Sequence, residues 1–191
     1  MNKINELRFN MIQGREEIIN RYKQISERFE KECSRGVCVL LSELLDVTLS
    51  DLLSLRLVNK DNMIKDFITG TNFDNRIKLS YLVGIIKYSE YEDLQIIRNI
   101  RNKFAHISKK HLPDFSFIKH FEDKDISSLI NKLNIMKIAR DARQAFDREA
   151  GTPSHGEFDY RQKFVLASSI ILLFLNDRFQ KIAKINEFKF I

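Results

Sequence analysis

Residues Val37–Val58 read VCVLLSELLDVTLSDLLSLRLV, and this run decides the fold. Val37, Leu40, Leu41, Leu44, Leu45, Thr48, Leu49, Leu52, Leu53, Leu55 and Leu57 recur at the intervals of an α-helix. Together they cover much of the helix circumference. A helix that is apolar on more than one side is buried on more than one side. The run is therefore expected at the centre of a bundle, with other helices around it.

The flanking sequence supplies those helices. With 191 residues the chain is long enough for one domain with a substantial core. Only 6 Gly and 2 Pro interrupt it, and 15 Phe without any Trp point to a core of Phe, Leu and Ile. Residues 1–13 carry little pattern and read as an adaptable arm. Ile18, Tyr22, Ile25 and Phe29 then form a narrow apolar seam, and Gly36 marks a break or a close contact. Beyond the central run, a short helix is expected at Asp61–Ile68, ending near Gly70. A helix capped by Asp74 runs to about Lys87, with Ile77, Leu79, Leu82, Val83 and Ile86 inward. Asp125 opens a run through Ile126, Leu129, Ile130, Leu133 and Met136 that extends through Ala139, Ala142 and Phe146. Residues 151–156 form a loop. Asp159 caps the last helix, with Phe164, Ala167, Ile171, Phe174, Leu175 and Phe179 inward. The expectation is an all-α, single-domain bundle of six or seven helices spanning 1–191.

Composition narrows the function classes. The most apolar run, Phe164–Leu175, suits a buried helix and is too short for a membrane span, so no membrane association is expected. The N-terminus is too charged for a signal peptide. Cys33 and Cys38 have no Cys or His cluster around them, so neither a zinc site nor a disulfide framework is read. Both fit reduced residues at a helix start in a cytosolic protein, with no metal and no cofactor. A net charge of +6 makes nucleic acid or an acidic surface a natural partner.

That charge concentrates in Leu94–Pro113, LQIIRNIRNKFAHISKKHLP, which contains no acid. Ser89-Glu90-Tyr91-Glu92 reads as a capping box ahead of it. Leu94, Ile97, Arg101 and Phe104 follow at helical spacing, and Pro113 stops any helix. A helix from about Glu90 to Ile107 is expected. Asn102 and His106 share a face of it, whereas Arg101 and His106 point about 140° apart around the axis. Bending of Arg101, a helix end near Ala105, or a second copy across a dimer axis would let Arg101 and His106 converge.

Phe73-Asp74-x-Arg76-Ile77-Lys78-Leu79-Ser80-Tyr81-Leu82, followed by Tyr91-x-Asp93-Leu94-x-x-Ile97-Arg98-x-Ile100-Arg101-Asn102-x-Phe104-Ala105-His106, resembles the mannitol-operon-repressor (MltR-like) family. The closing helix from Arg161 through Phe179 is similar to that family's last helix, so the resemblance covers about residues 36–185. It implies an all-helical, bacterial, cytosolic homodimer. It also implies a negative regulator of transcription that works through a protein partner, because no helix-turn-helix or zinc finger is present to read DNA. Arg101-Asn102-x-x-x-His106 also resembles the motif of the HEPN superfamily, many of whose members are metal-independent ribonucleases of toxin and defence systems. That likeness implies RNA as substrate and an antitoxin as partner.

The residue types suit such chemistry. Cleaving RNA without metal needs an acid or base with a pKa near neutrality, which His106 supplies. It also needs a cation on the phosphate, a task that fits the planar fork of Arg101. Asn102 would orient the imidazole or contact phosphate. Arg98, Lys103, Lys109 and Lys110 would hold the RNA backbone in a salt-sensitive way. The plainer alternative has His106 meeting the last carbonyls of a helix, with Arg101 and Asn102 paired to acids. On that alternative Lys109 and Lys110 are a solvated face. Tyr81 and Tyr88 flank the basic helix at positions suited to stacking on bases, with core packing the favoured expectation.

Overall fold

The computed structural model describes residues 31–57, 62–105, 120–137 and 158–188, with isolated positions between 20 and 29. Six helices are delimited there: α1 (Ser34–Arg56), α2 (Asn62–Gly70), α3 (Phe73–Leu82), α4 (Tyr88–Ala105), α5 (Lys124–Ile130) and α6 (Tyr160–Phe188). Among the described residues there is no strand, and the fold is all-α as expected. The arm 1–13, the loop 151–156 and the continuation past Ala139 lie outside the described residues.

Helix α1 is the hub. It packs most extensively on α6, then on α4, α3 and α2. Val37, Cys38, Leu41, Leu45, Leu49, Leu52 and Leu53 are fully buried on its inner side. They meet Phe164, Ala167, Ile171 and Leu175 of α6 and Leu94, Ile97, Ile100 and Phe104 of α4 in one apolar core. Each set recurs at three or four residues, so each helix turns one stripe inward. One end of the core is closed by rings, with Phe121 lying 5.0 Å from Phe104 and 5.2 Å from Phe164 between centroids.

Several helix boundaries differ from the sequence expectation, each for a local reason. Helix α1 begins at Ser34, before Gly36, with Cys33 as its cap. Gly36 is a close contact inside the first turn, where a Cβ would come within 2.7 Å of the Glu32 carboxylate. Asn72 caps α3 by accepting from the Asn75 amide at 3.0 Å, so Asp74 is not the cap. Helix α3 stops at Leu82, and Gly84 turns the chain at φ 72°. Ile85 and Ile86 are buried from the turn. The run from Asp125 is likewise broken by a turn at 131–133 after α5. The last helix follows its expected cap: the Gln162 amide donates to Asp159 at 2.7 Å, and the Asp159 amide donates to the Gln162 side chain at 3.0 Å.

The capping box expected at Ser89 and Glu92 sits elsewhere. Helix α4 starts at Tyr88, and Glu90 reaches back to accept from the Lys87 amide at 2.7 Å. The other oxygen of Glu90 accepts from Arg178 of α6 at 2.6 Å. Three residues on, Asp93 is buried and accepts from the backbone amides of Asn134 and Ile135 at 2.6 and 2.9 Å. It thereby caps the helical turn 134–137. Glu92 accepts from the Asn134 side chain at 3.3 Å. Two buried carboxylates thus fix the start of α4 against two other parts of the bundle.

Burial raises the pKa of Asp93 above its ordinary value of 3.8, although the two amides oppose the rise. Between 3.8 and the raised value the folded chain therefore holds a proton that the unfolded chain has lost. The Asp93 contribution to stability accordingly falls as pH climbs through that window. We expect Asp93→Asn to remove this slope in urea titrations run at stepped pH. We expect Asp93→Ala, which strands two amides, to cost about 2–3 kcal/mol.

Candidate functional site

The basic residues of α4 lie beside its buried stripe. Leu94, Ile97, Ile100 and Phe104 point inward, which leaves Arg98, Arg101, Asn102 and Lys103 half-buried along the flank. Two of these cations are paired within the molecule. Arg98 Nε lies 3.6 Å from Asp74 Oδ1. Asp74 also takes Lys78 at 2.7 Å and Gln95 at 2.9 Å. The Lys78 hydrogen bond leads the set that holds its carboxyl below the usual range, with Gln95 and Arg98 adding to it. Lys103 Nζ pairs with Asp125 of α5 at 3.0 Å. Pairs this open to water contribute ~1 kcal/mol or less. They still neutralise the cations that were expected to hold a nucleic-acid backbone.

Arg101 and Asn102 differ from them. Neither has an ion-pair or hydrogen-bond partner among the described residues. Arg101 places its charge near Cys38 of α1. Burial pushes that thiol up to about 12, and the neighbouring Ser42 side chain and the Arg101 charge offset only part of the rise. Cys38 is therefore a neutral core thiol and no nucleophile. His106, Lys109, Lys110 and His111 lie outside the described residues, as does the charged cluster 140–149. The structure thus places Arg101 and Asn102 of the expected trio, and His120 is exposed.

Two surfaces were not foreseen. Leu40, Leu44 and Val47 were read with the buried set or passed over, yet they are 44 %, 47 % and 48 % exposed. They lie with Asp51 within about 60° of one another around the α1 axis. The signal was present in Glu43 and Asp51, because carboxylates interleaved with leucines mark a face turned to water. Tyr81 and Tyr88, expected in the core, are 40 % and 58 % exposed. They cluster with Tyr91 at centroid distances of 5.3–6.1 Å. The nearby Glu92 carboxylate raises the Tyr88 hydroxyl pKa.

Among the described residues no group of three or more His, Cys, Asp or Glu is arranged to hold a metal, and no helix is long and apolar enough to cross a membrane. Comparison with protein-family models, with curated proteins and with solved structures gave no match.

The arginines separate by what they touch. Arg76 of α3 donates to Asp46 at 2.7 Å, to the Ile68 carbonyl at 3.1 and 3.3 Å, and to the Thr69 carbonyl at 3.2 Å. It thus clasps α1 and the end of α2. We expect Arg76→Ala to lower stability by about 2–3 kcal/mol, with Arg76→Lys a poor substitute because its point charge lacks the fork. Arg101→Ala should stay within about 0.5 kcal/mol of wild type. Chemical denaturation of the three variants measures this. Equal losses for Arg76→Ala and Arg101→Ala would make Arg101 a structural residue.

Proposed function

We propose that the chain is a negative regulator of transcription, of the kind implied by its mannitol-operon-repressor-like sequence, that acts by binding another protein and does not read DNA itself. The observation that carries this reading is the exposed stripe Leu40, Leu44 and Val47 on α1. Three half-exposed aliphatic side chains on consecutive turns of the central helix are kept in water at a cost that a covering partner removes. The pairing of Arg98 with Asp74 and of Lys103 with Asp125 points the same way, since it leaves less free positive charge on α4 for a phosphate backbone. The resemblance also brings a homodimer as the working form.

A second reading has its own observation. Arg101 and Asn102 lack partners among the described residues, as groups reserved for a ligand do. In a metal-independent HEPN-type ribonuclease His106 would take the proton from a ribose 2′-hydroxyl. The 2′-oxygen would attack the adjacent phosphorus, and the 5′-oxygen of the next nucleotide would leave with a proton. Arg101 would carry the charge that builds on the phosphate, and Asn102 would hold the imidazole.

Complementation separates the two. A strain lacking the gene is supplied with wild type, Leu44→Glu, Arg101→Ala or His106→Ala, and transcript levels are compared. The regulator reading predicts that Leu44→Glu alone fails to restore the wild-type profile. It also predicts that purified protein leaves RNA intact in EDTA. RNA cleavage that survives chelation and is lost in both Arg101→Ala and His106→Ala would establish the nuclease and overturn the regulator.

A further inference from the structure

The open face of α1 has a charge of one sign. Around the arc that holds Leu40, Leu44 and Val47, the charged residues exposed on α1 are Glu43 and Asp51. Asp46 lies about 100° further round the helix than Val47 and is already paired with Arg76. From the 100° step of an α-helix, Arg35 and Arg56 project to other sides. The face is thus an apolar ridge about two turns, or ~10 Å, long with carboxylates beside it. Its inner side is fixed by the core, so it is presented on a rigid support.

Those features choose among occupants. An anionic membrane or a nucleic acid would meet Glu43 and Asp51 with like charge. A second copy of this face fares no better. Antiparallel packing about Leu44 brings the two Glu43 side chains near one another, and parallel packing apposes Glu43 to Glu43 and Asp51 to Asp51. Neither arrangement supplies a cation. A single amphipathic helix fits instead, with its aliphatic residues between Leu40, Leu44 and Val47 and its Lys or Arg side chains beside Glu43 and Asp51.

We propose that α1 is the docking ridge for a basic amphipathic helix of a partner protein, read through Leu40, Leu44 and Val47 with Glu43 and Asp51 as charge selectors. This rests on the regulator reading and names the chemistry of its partner.

The probes are two stapled helical peptides with leucines on one face, one flanked by lysine and the other by glutamate, titrated into the full-length chain by fluorescence anisotropy. The lysine peptide should bind at least tenfold tighter, and its affinity should fall as salt rises. Leu44→Glu should weaken it at least tenfold. The double variant Glu43→Lys/Asp51→Lys should invert the preference, which a merely unfolded variant could not do. Equal binding of both peptides, no binding of either, or an unchanged preference in the double variant would overturn the proposal. So would a wild-type oligomer, seen by sedimentation, that Leu44→Glu converts to monomer, because a second copy would then hold the ridge. A Leu44→Glu chain that fails to complement although the peptides bind wild type without charge preference would keep the regulator reading and sink this proposal alone.

Discussion

Glu90 and Asp93 are carboxylates out of water at the start of helix α4, and the arrangement of the site depends on their being satisfied. A buried acid with unmet acceptors costs several kcal/mol, so each fixes whatever satisfies it. Glu90 is met by the Lys87 amide and the Arg178 guanidinium. Asp93 is met by the two amides of the turn at 134–137. Apolar packing of Leu94, Ile97 and Ile100 would hold α4 against α1 over a range of rotations and slides. The polar contacts select one of them, because hydrogen bonds tolerate little displacement.

From that setting the flank of α4 follows. With Asp93, Leu94 and Ile97 inward, Arg98, Arg101 and Asn102 must emerge at the side of the helix. Arg98 then meets Asp74 of α3, and Lys103 meets Asp125 of α5. Arg101 brings its charge near the buried Cys38 thiol and keeps it unpaired among the described residues. Acids at the start of the helix and cations further along also suit the helix dipole. One set of inward contacts therefore decides which cations are spent on the fold and which is left over.

Apolar periodicity made the architecture legible. Leu41, Leu45, Leu49 and Leu52 announce a core helix, and Asp159 with Gln162 announces the start of the last one. The misreadings arise where a polar residue had two possible jobs. Asp74 looked like a cap, yet Asn72 took that position and left Asp74 to gather Lys78, Gln95 and Arg98. Glu92 looked like the reciprocal partner of Ser89, yet Glu90 takes that part by accepting from the Lys87 amide while its other oxygen meets Arg178 of α6. Leu40 and Leu44 fit the helical period as well as the buried leucines do, so spacing alone could not place them outside. Only the carboxylates beside them could. At the site, one sequence run named Arg98, Arg101, Asn102 and Lys103 together, but long-range partners far apart in sequence divided them.

The most direct test of this account is a double-mutant cycle on Glu90→Gln and Arg178→Met, followed by denaturant unfolding, with amide exchange along α4 read in parallel. If the buried pair sets the helix, the coupling energy should be on the order of 1–3 kcal/mol, and each single variant should speed exchange in the first turns of α4. Additive effects with unchanged exchange would contradict the account, since apolar packing alone would then be holding α4 in place.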